Sequence, residues 1–304
     1  MMPALLLQLW NKPHVVLTLA TLMWAGHTIA ARISVNEISP MLLMELRWIL
    51  CLLVLIAFCR GKLISQIPAV KERLGWVFMM GGFGMAGFTV FFILAAQYTT
   101  AVNLGITQGS IPAFVMIIGL VVLRTRISYL QICGLVLSLG GVVLLVSGGS
   151  INVLKSVKFN IGDLLMLVAC LCYAGYTLGL SRRIVMPPVL ILAFFSAAAV
   201  VTLTICTSIE YAQGNLIMPG LKGWLLVIYC AIFPSLLAQI LFMRGVELAG
   251  SNRAGLYVNL VPVFAALFAV IILGEIMHFY HIMSLALVLG GIYLAERGKK
   301  ALLR

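Results

Sequence analysis

Apolar positions along this chain neither alternate with polar ones nor fall into the narrow stripe of a surface helix. They come in nearly unbroken runs, each close to the 20 or so residues that carry an α-helix across a hydrocarbon core of about 30 Å. Ten runs predict helices near 14–34, 40–59, 74–97, 101–123 and 129–147, then 161–181, 188–208, 222–243, 254–274 and 279–296. Continuous rather than alternating runs exclude a membrane β-barrel. The first run is too long and too polar-flanked for a cleaved leader, and no small-residue cleavage pattern follows it, so it is read as a helix. The predicted fold class is an all-α polytopic membrane protein with ten transmembrane helices. No connection exceeds about twenty residues, which leaves no room for a catalytic domain outside the lipid. Binding must then occur between helices.

Composition agrees. Of 304 residues, 63% are apolar and 9% charged, with a mean hydropathy of +1.17; soluble domains run near half and a quarter. The net charge of +12 is read as orientation. With the N-terminus in the cytoplasm, that side collects Lys12, Arg60, Lys62, Lys71, Arg73, Arg124, Arg126, Arg182, Arg183, Arg244, Arg253, Arg297, Lys299, Lys300 and Arg304. The other side keeps Arg32, Lys155, Lys158 and Lys222, so fifteen face four, the asymmetry of the positive-inside rule. Both termini are expected in the cytoplasm, and nucleic acid is not expected as a partner. Seven cysteines fall within or at the ends of apolar runs and read as small packing residues. Cys170 and Cys172 point to different helix faces and cannot grip one metal ion. Neither a metal nor another cofactor is expected.

Polar residues interrupt the runs in a repeated way. "GITQGSIPAFVMIIGLVVL" (105–123) superimposes on "GLYVNLVPVFAALFAVIIL" (255–273) after a shift of 150 positions. Gly105 meets Gly255, Pro112 meets Pro262, and the register continues until Gly140-Gly141 meets Gly290-Gly291. "WAGHT" (24–28) likewise aligns with "YAGYT" (173–177). The chain therefore divides into repeats at 1–148 and 149–304. Five helices in each make the second begin on the opposite side of the membrane. Inverted repeats are a recurrent plan of secondary transporters, with the substrate site near the midplane where the repeats meet.

These residues, with "GDLLMLVACLCYAGYT" (162–177), "LGE" (273–275) and Arg47 in the second run, make the chain similar to the drug/metabolite transporter superfamily, specifically its EamA-type ten-helix exporters. The resemblance covers nearly the whole chain. It implies a cavity walled mainly by helices three, four, eight and nine, with one and six contributing, and export of amino acids or other small metabolites. The chain departs from the family pattern at Arg124-Thr125, where the first half lacks a Gly-Glu-like pair, and at His27 and Glu45.

Proline one turn beyond Gln108 and Val258 is expected to free those carbonyls. Backbone freed at membrane depth is tolerated where it is buried or lines a wet cavity. Polar and aromatic candidates for the cavity wall are Trp24, His27, Phe91, Gln97, Tyr98, Thr107, Gln108 and Ser110 in the first half. In the second they are Tyr173, Tyr176, Gln239, Tyr257 and Asn259. Gly105, Gly109, Pro112, Gly255 and Pro262 shape the helices. The competing reading gives these residues only packing and self-bonding roles. His27, Glu45, Arg47, Asp163 and Glu275 are candidates for coupling or gating; a structural histidine, a snorkelling arginine and helix caps are the plainer alternatives. Trp76 and Trp224 begin their runs as interfacial anchors.

A secondary exporter of neutral or zwitterionic metabolites working by alternating access is the expected function, in a bacterial inner membrane, as a monomer or homodimer. The alternatives are efflux of amphipathic compounds or metabolite uptake on the same fold. An intramembrane enzyme finds no support, since H-E-x-x-H, G-x-S-x-G and Gly-x-Gly-Asp are absent ("NIGD" at 160–163 lacks the first glycine). A channel fits an internally duplicated chain poorly. No P-loop is present, so energy comes from the substrate gradient, exchange, or coupling to a proton or other ion.

Overall fold

A computed structural model describes residues 8–182 and 184–302, with no side-chain description beyond Gly298. Arg183 and Arg304 from the charge count lie outside the described residues, as do the side chains of Lys299 and Lys300. Among the described residues, ten helices are long and apolar enough to span a membrane: α1 (Pro13–Ile33), α2 (Pro40–Lys71), α3 (Leu74–Ala96), α4 (Ala101–Leu123), α5 (Tyr129–Val146), α6 (Ile161–Arg182), α7 (Pro188–Ala212), α8 (Leu221–Ala249), α9 (Ser251–Leu273) and α10 (Phe279–Gly298). Helices satisfy every backbone group internally, which hydrocarbon demands. Large apolar side chains such as Phe58, Val121, Val136, Ile205 and Ile271 face outward, where lipid would meet them.

Local chemistry sets the ends. Pro13, Pro40 and Pro188 occupy first turns, where no amide donor is needed. Reciprocal capping boxes start α5 at Ser128–Gln131 and α6 at Asn160–Asp163. α4 and α9 both end in left-handed backbone, at Arg124 (φ 53°) and Gly274 (φ 72°). The two positions are 150 apart, as the repeat requires, and only the second half has the glycine that adopts this conformation without strain.

Equivalent helices of the halves pack antiparallel, which inverts one half relative to the other. On α5 and α10, Gly134 faces Gly291 while Gly141 faces Ser284. A Cβ on Gly134 would come within 2.3 Å of the Gly291 carbonyl oxygen, so small residues are obligatory at this crossing. On α2 and α7, Glu45 accepts a hydrogen bond from Thr204 (2.7 Å), and Glu210 accepts one from the Leu42 amide (3.3 Å). On α4 and α9, Val115 lies against Gly255 and Gly119 against Asn252.

Two features depart from the sequence reading. α2 continues to Lys71, twelve residues past its expected end, with Arg60 and Lys62 exposed and Pro68 carried inside the helix. α3 and α8 each change to π-helical winding, over Met79–Gly87 and Ala231–Leu237. The first stretch holds four glycines and the second holds Pro234, whose missing amide a wider turn accommodates. Both lie on equivalent helices, so the irregularity belongs to the repeat.

Candidate functional site

The two halves enclose a cavity of about 250 Å³. α1 contributes Trp24, His27, Thr28 and Ala31, a single face at helical spacing. α3 contributes Met85, Phe88, Thr89 and Phe92 in the same pattern. α2 adds Arg47 and Trp48, and α4 adds Gln108 and Ile111. From the second half come Tyr173 of α6, Pro234 and Gln239 of α8, and Val258, Val261 and Pro262 of α9.

Its charged corner is built from two neighbouring helices. Arg47, 7% exposed, places Nη1 3.0 Å from His27 Nε2. Arginine can only donate, so Nε2 accepts and the imidazole proton resides on Nδ1, 3.4 Å from the Cys230 thiol. The guanidinium lies 5.5 Å from the centre of the Trp48 ring. Arg47 Nε, Trp48 Nε1 and the Tyr173 hydroxyl are buried without hydrogen-bond partners.

The cavity's two ends differ. Thr28 and Ala31 are exposed, one turn from Arg32, which pairs with Glu275 at 2.9 Å. We call this the mouth end. In the other direction the aromatic side chains close ranks. Trp24 packs on Phe242 and Tyr173 (centroids 5.1 and 6.0 Å), and Tyr173 on Phe242 (6.0 Å). The Trp24 indole donates to the Pro234 carbonyl (3.2 Å), and the Tyr176 hydroxyl donates to Gln239 (2.9 Å). Beyond this plug, at the basic end, Glu296 of α10 gathers three helices. Tyr257 donates to it (2.8 Å), Arg253 approaches to 3.1 Å, and His14 Nδ1 lies 2.6 Å away.

Five of the thirteen sequence candidates for the wall thus line the cavity: Trp24, His27, Gln108, Tyr173 and Gln239. Tyr176 stands behind them through its bond to Gln239. The remainder are placed elsewhere. Gln97 and Tyr98 are exposed at the end of α3, and Phe91 points off the lining face of that helix. The Thr107 carbonyl accepts both the amide (3.0 Å) and the hydroxyl (2.5 Å) of Ser110, which ties the kink in α4 to itself. Asn259 donates to Ser138 of α5 (3.0 Å), and Tyr257 belongs to the Glu296 node. Pro262 lines the cavity; Gly105 and Gly109 pack on α5 at Val146 and Val142 instead, and Pro112 is buried outside the lining. The Val258 carbonyl, expected to be free, accepts the Val261 amide at 3.0 Å, because a tighter turn recaptures it.

Of the charged candidates, Arg47 and His27 meet in the wall. Glu45 turns to α7, Glu275 to Arg32, and Asp163 caps α6 while accepting from Thr99 (2.7 Å) and Asn103 (3.0 Å). Sequence reasoning missed Thr28, Trp48, Phe88, Thr89, Phe92 and the role of α2 as a wall. Helical spacing from Trp24 and from Met85 would have found four of them.

Residues 11–147 and 160–296 each match the sequence profile of the EamA-like transporter family. An uncharacterized transporter of Archaeoglobus fulgidus is 29% identical over 287 residues, covering 93% of this chain and 97% of that protein. The uncharacterized transporter YyaM of Bacillus subtilis is 24% identical over 81% of this chain and 79% of its own length. A protein crystal structure superimposes with a TM-score of 0.78 at 19% identity, covering 95% of this chain and 98% of that one. That likeness concerns the fold.

Proposed function

The chain belongs to the EamA-like transporter family, and from that premise we propose that it exports small metabolites from the cytoplasm by alternating access through the cavity between its halves. It is an integral membrane transporter rather than an enzyme, surrounded by lipid and acting on a small-molecule solute. The observation that carries the mechanism is the cavity itself: lined by both halves, reaching exposed residues at one end and stopped by packed aromatics at the other. Rocking one half against the other would part Trp24, Tyr173 and Phe242 while narrowing the mouth between α1 and α3 beside Thr28. Bound solute must favour the closed intermediate, since equal affinity for both open forms shifts nothing.

The excess of basic residues around the plugged end favours a cytoplasmic placement for it, with both termini there, in an inner or plasma membrane. One chain supplies both halves of the pathway, so a monomer or a homodimer serves equally. For coupling, His27 is the group that matters. A proton on Nε2 would set two cations 3.0 Å apart and release Arg47, which gives a proton leverage over the cavity. Amino acids are one class of solute of suitable size.

The test is a thermal-shift screen of purified protein against acids, amino acids, bases and amphipathic drugs, followed by counterflow of any hit in liposomes. Saturable counterflow that falls at least tenfold in Trp24→Ala and Gln108→Ala supports the reading. Flux that never saturates, or is indifferent to both substitutions, contradicts it.

A further inference from the structure

We infer that the cavity takes its solute as an organic monocarboxylate, a deprotonated acid on an apolar or aromatic body, anchored at Arg47. This narrows the transporter reading and rests on it. It also moves the substrate away from the neutral or zwitterionic class that composition suggested.

The argument is one of charge. Arg47 is buried in the cavity wall, and its hydrogen-bond partner is the His27 imidazole, which accepts through Nε2 and so carries no charge. The chain has eight acidic side chains, and none lines the cavity. Glu45 and Glu210 bond across α2 and α7, and Asp163 caps α6. Glu37 holds Lys222, Glu275 holds Arg32, Glu247 holds Arg244, and Glu296 belongs to the opposite end. Glu72 follows α2 and is exposed. A cation enclosed at membrane depth without a counter-charge is costly, and such residues mark solute pathways by default.

Donors without acceptors belong to the same lining. Arg47 Nε, Trp48 Nε1 and the Tyr173 hydroxyl lack partners in the wall of the same cavity. A carboxylate is acceptor-only and matches a guanidinium edge with both oxygens. Bound there, a monoanion brings the net charge of the enclosed site to zero. A zwitterion would leave one positive charge and an amine two, with no acid in the wall to receive the ammonium. The rest of the lining accounts for the body. Trp24, Met85, Phe88, Phe92 and Ile111 are apolar or aromatic, and about 250 Å³ admits only a small molecule.

A matched series separates these cases: 3-phenylpropionate, its amide, phenylalanine and 3-phenylpropylamine, titrated into the purified full-length protein by intrinsic tryptophan fluorescence. The wild type should bind the acid at least tenfold more tightly than the amide or phenylalanine, and the amine most weakly. Arg47→Gln should bring acid and amide within twofold, and Arg47→Lys should keep part of the preference. Equal binding of acid and amide, tighter binding of phenylalanine, or an acid preference that survives in Arg47→Gln would overturn the inference. Counterflow of the amide at full rate would then leave the transporter reading standing, whereas saturable flux of none of the four, nor of any hit from the screen, would sink both. If Arg47→Gln does not give monodisperse protein, the wild-type ratio of acid to amide decides, with Arg47→Lys expected to lower it.

Discussion

The mouth end and the basic end of this molecule are held together by different means. At the mouth, α1 meets the α9–α10 connection through Arg32 and Glu275, whose side chains are 55% and 47% exposed. At the basic end a buried aromatic plug is backed by the Glu296 node, where Arg253 and Glu296 are only 13% and 20% exposed. Exposed ion pairs contribute little, whereas packed aromatics and partly buried charge clusters contribute much. The molecule therefore rests with its solute path shut on the basic side, and the contacts most worth breaking are there.

The largest expected effect comes from the plug. Phe242 is fully buried, and Phe242→Ala should cost about 3–5 kcal/mol through the void it leaves. Thermal unfolding in detergent would read this as a clear drop in Tm, accompanied by faster counterflow or by leak. Glu296→Gln comes next. It removes the charge shared by His14, Tyr257 and Arg253, leaves Arg253 without its partner, and should cost about 1–3 kcal/mol. Hydrogen exchange at the start of α1 and the end of α10 should rise, with the centre of α5 unaffected. Arg32→Ala is the smallest, about 0–1 kcal/mol by melting temperature. A loss at Arg32 as large as that at Glu296 would erase the contrast between the ends.

Hydropathy made the ten spans legible, and a proline with a glycine pair, repeated after 150 positions, made the inverted halves legible. What stayed hidden is what needs a helix's rotation. Gln108 lines the cavity while Thr107, its neighbour about 100° round the helix, does not. Arg47 and His27 each stand out in the sequence, but their meeting depends on how α1 and α2 both pack on α8. Glu296 drew no attention because an acid near a polar tail looks solvated; its partners come from helices one and nine. The π-helical stretches left only the glycines of α3 and Pro234 as a trace.

The claim that the two ends open in alternation is tested most directly by pulsed electron–electron distance measurement on a cysteine-free version of the chain. One pair of spin labels would replace the exposed Val35 after α1 and the exposed Gln97 after α3 at the mouth, and another the exposed Lys12 and Arg297 at the basic end. Glu296→Gln should lengthen the Lys12–Arg297 separation in a fraction of molecules and shorten the Val35–Gln97 separation in an equal fraction. Lengthening at both ends together, or opening at the basic end with no change at the mouth, would contradict the account.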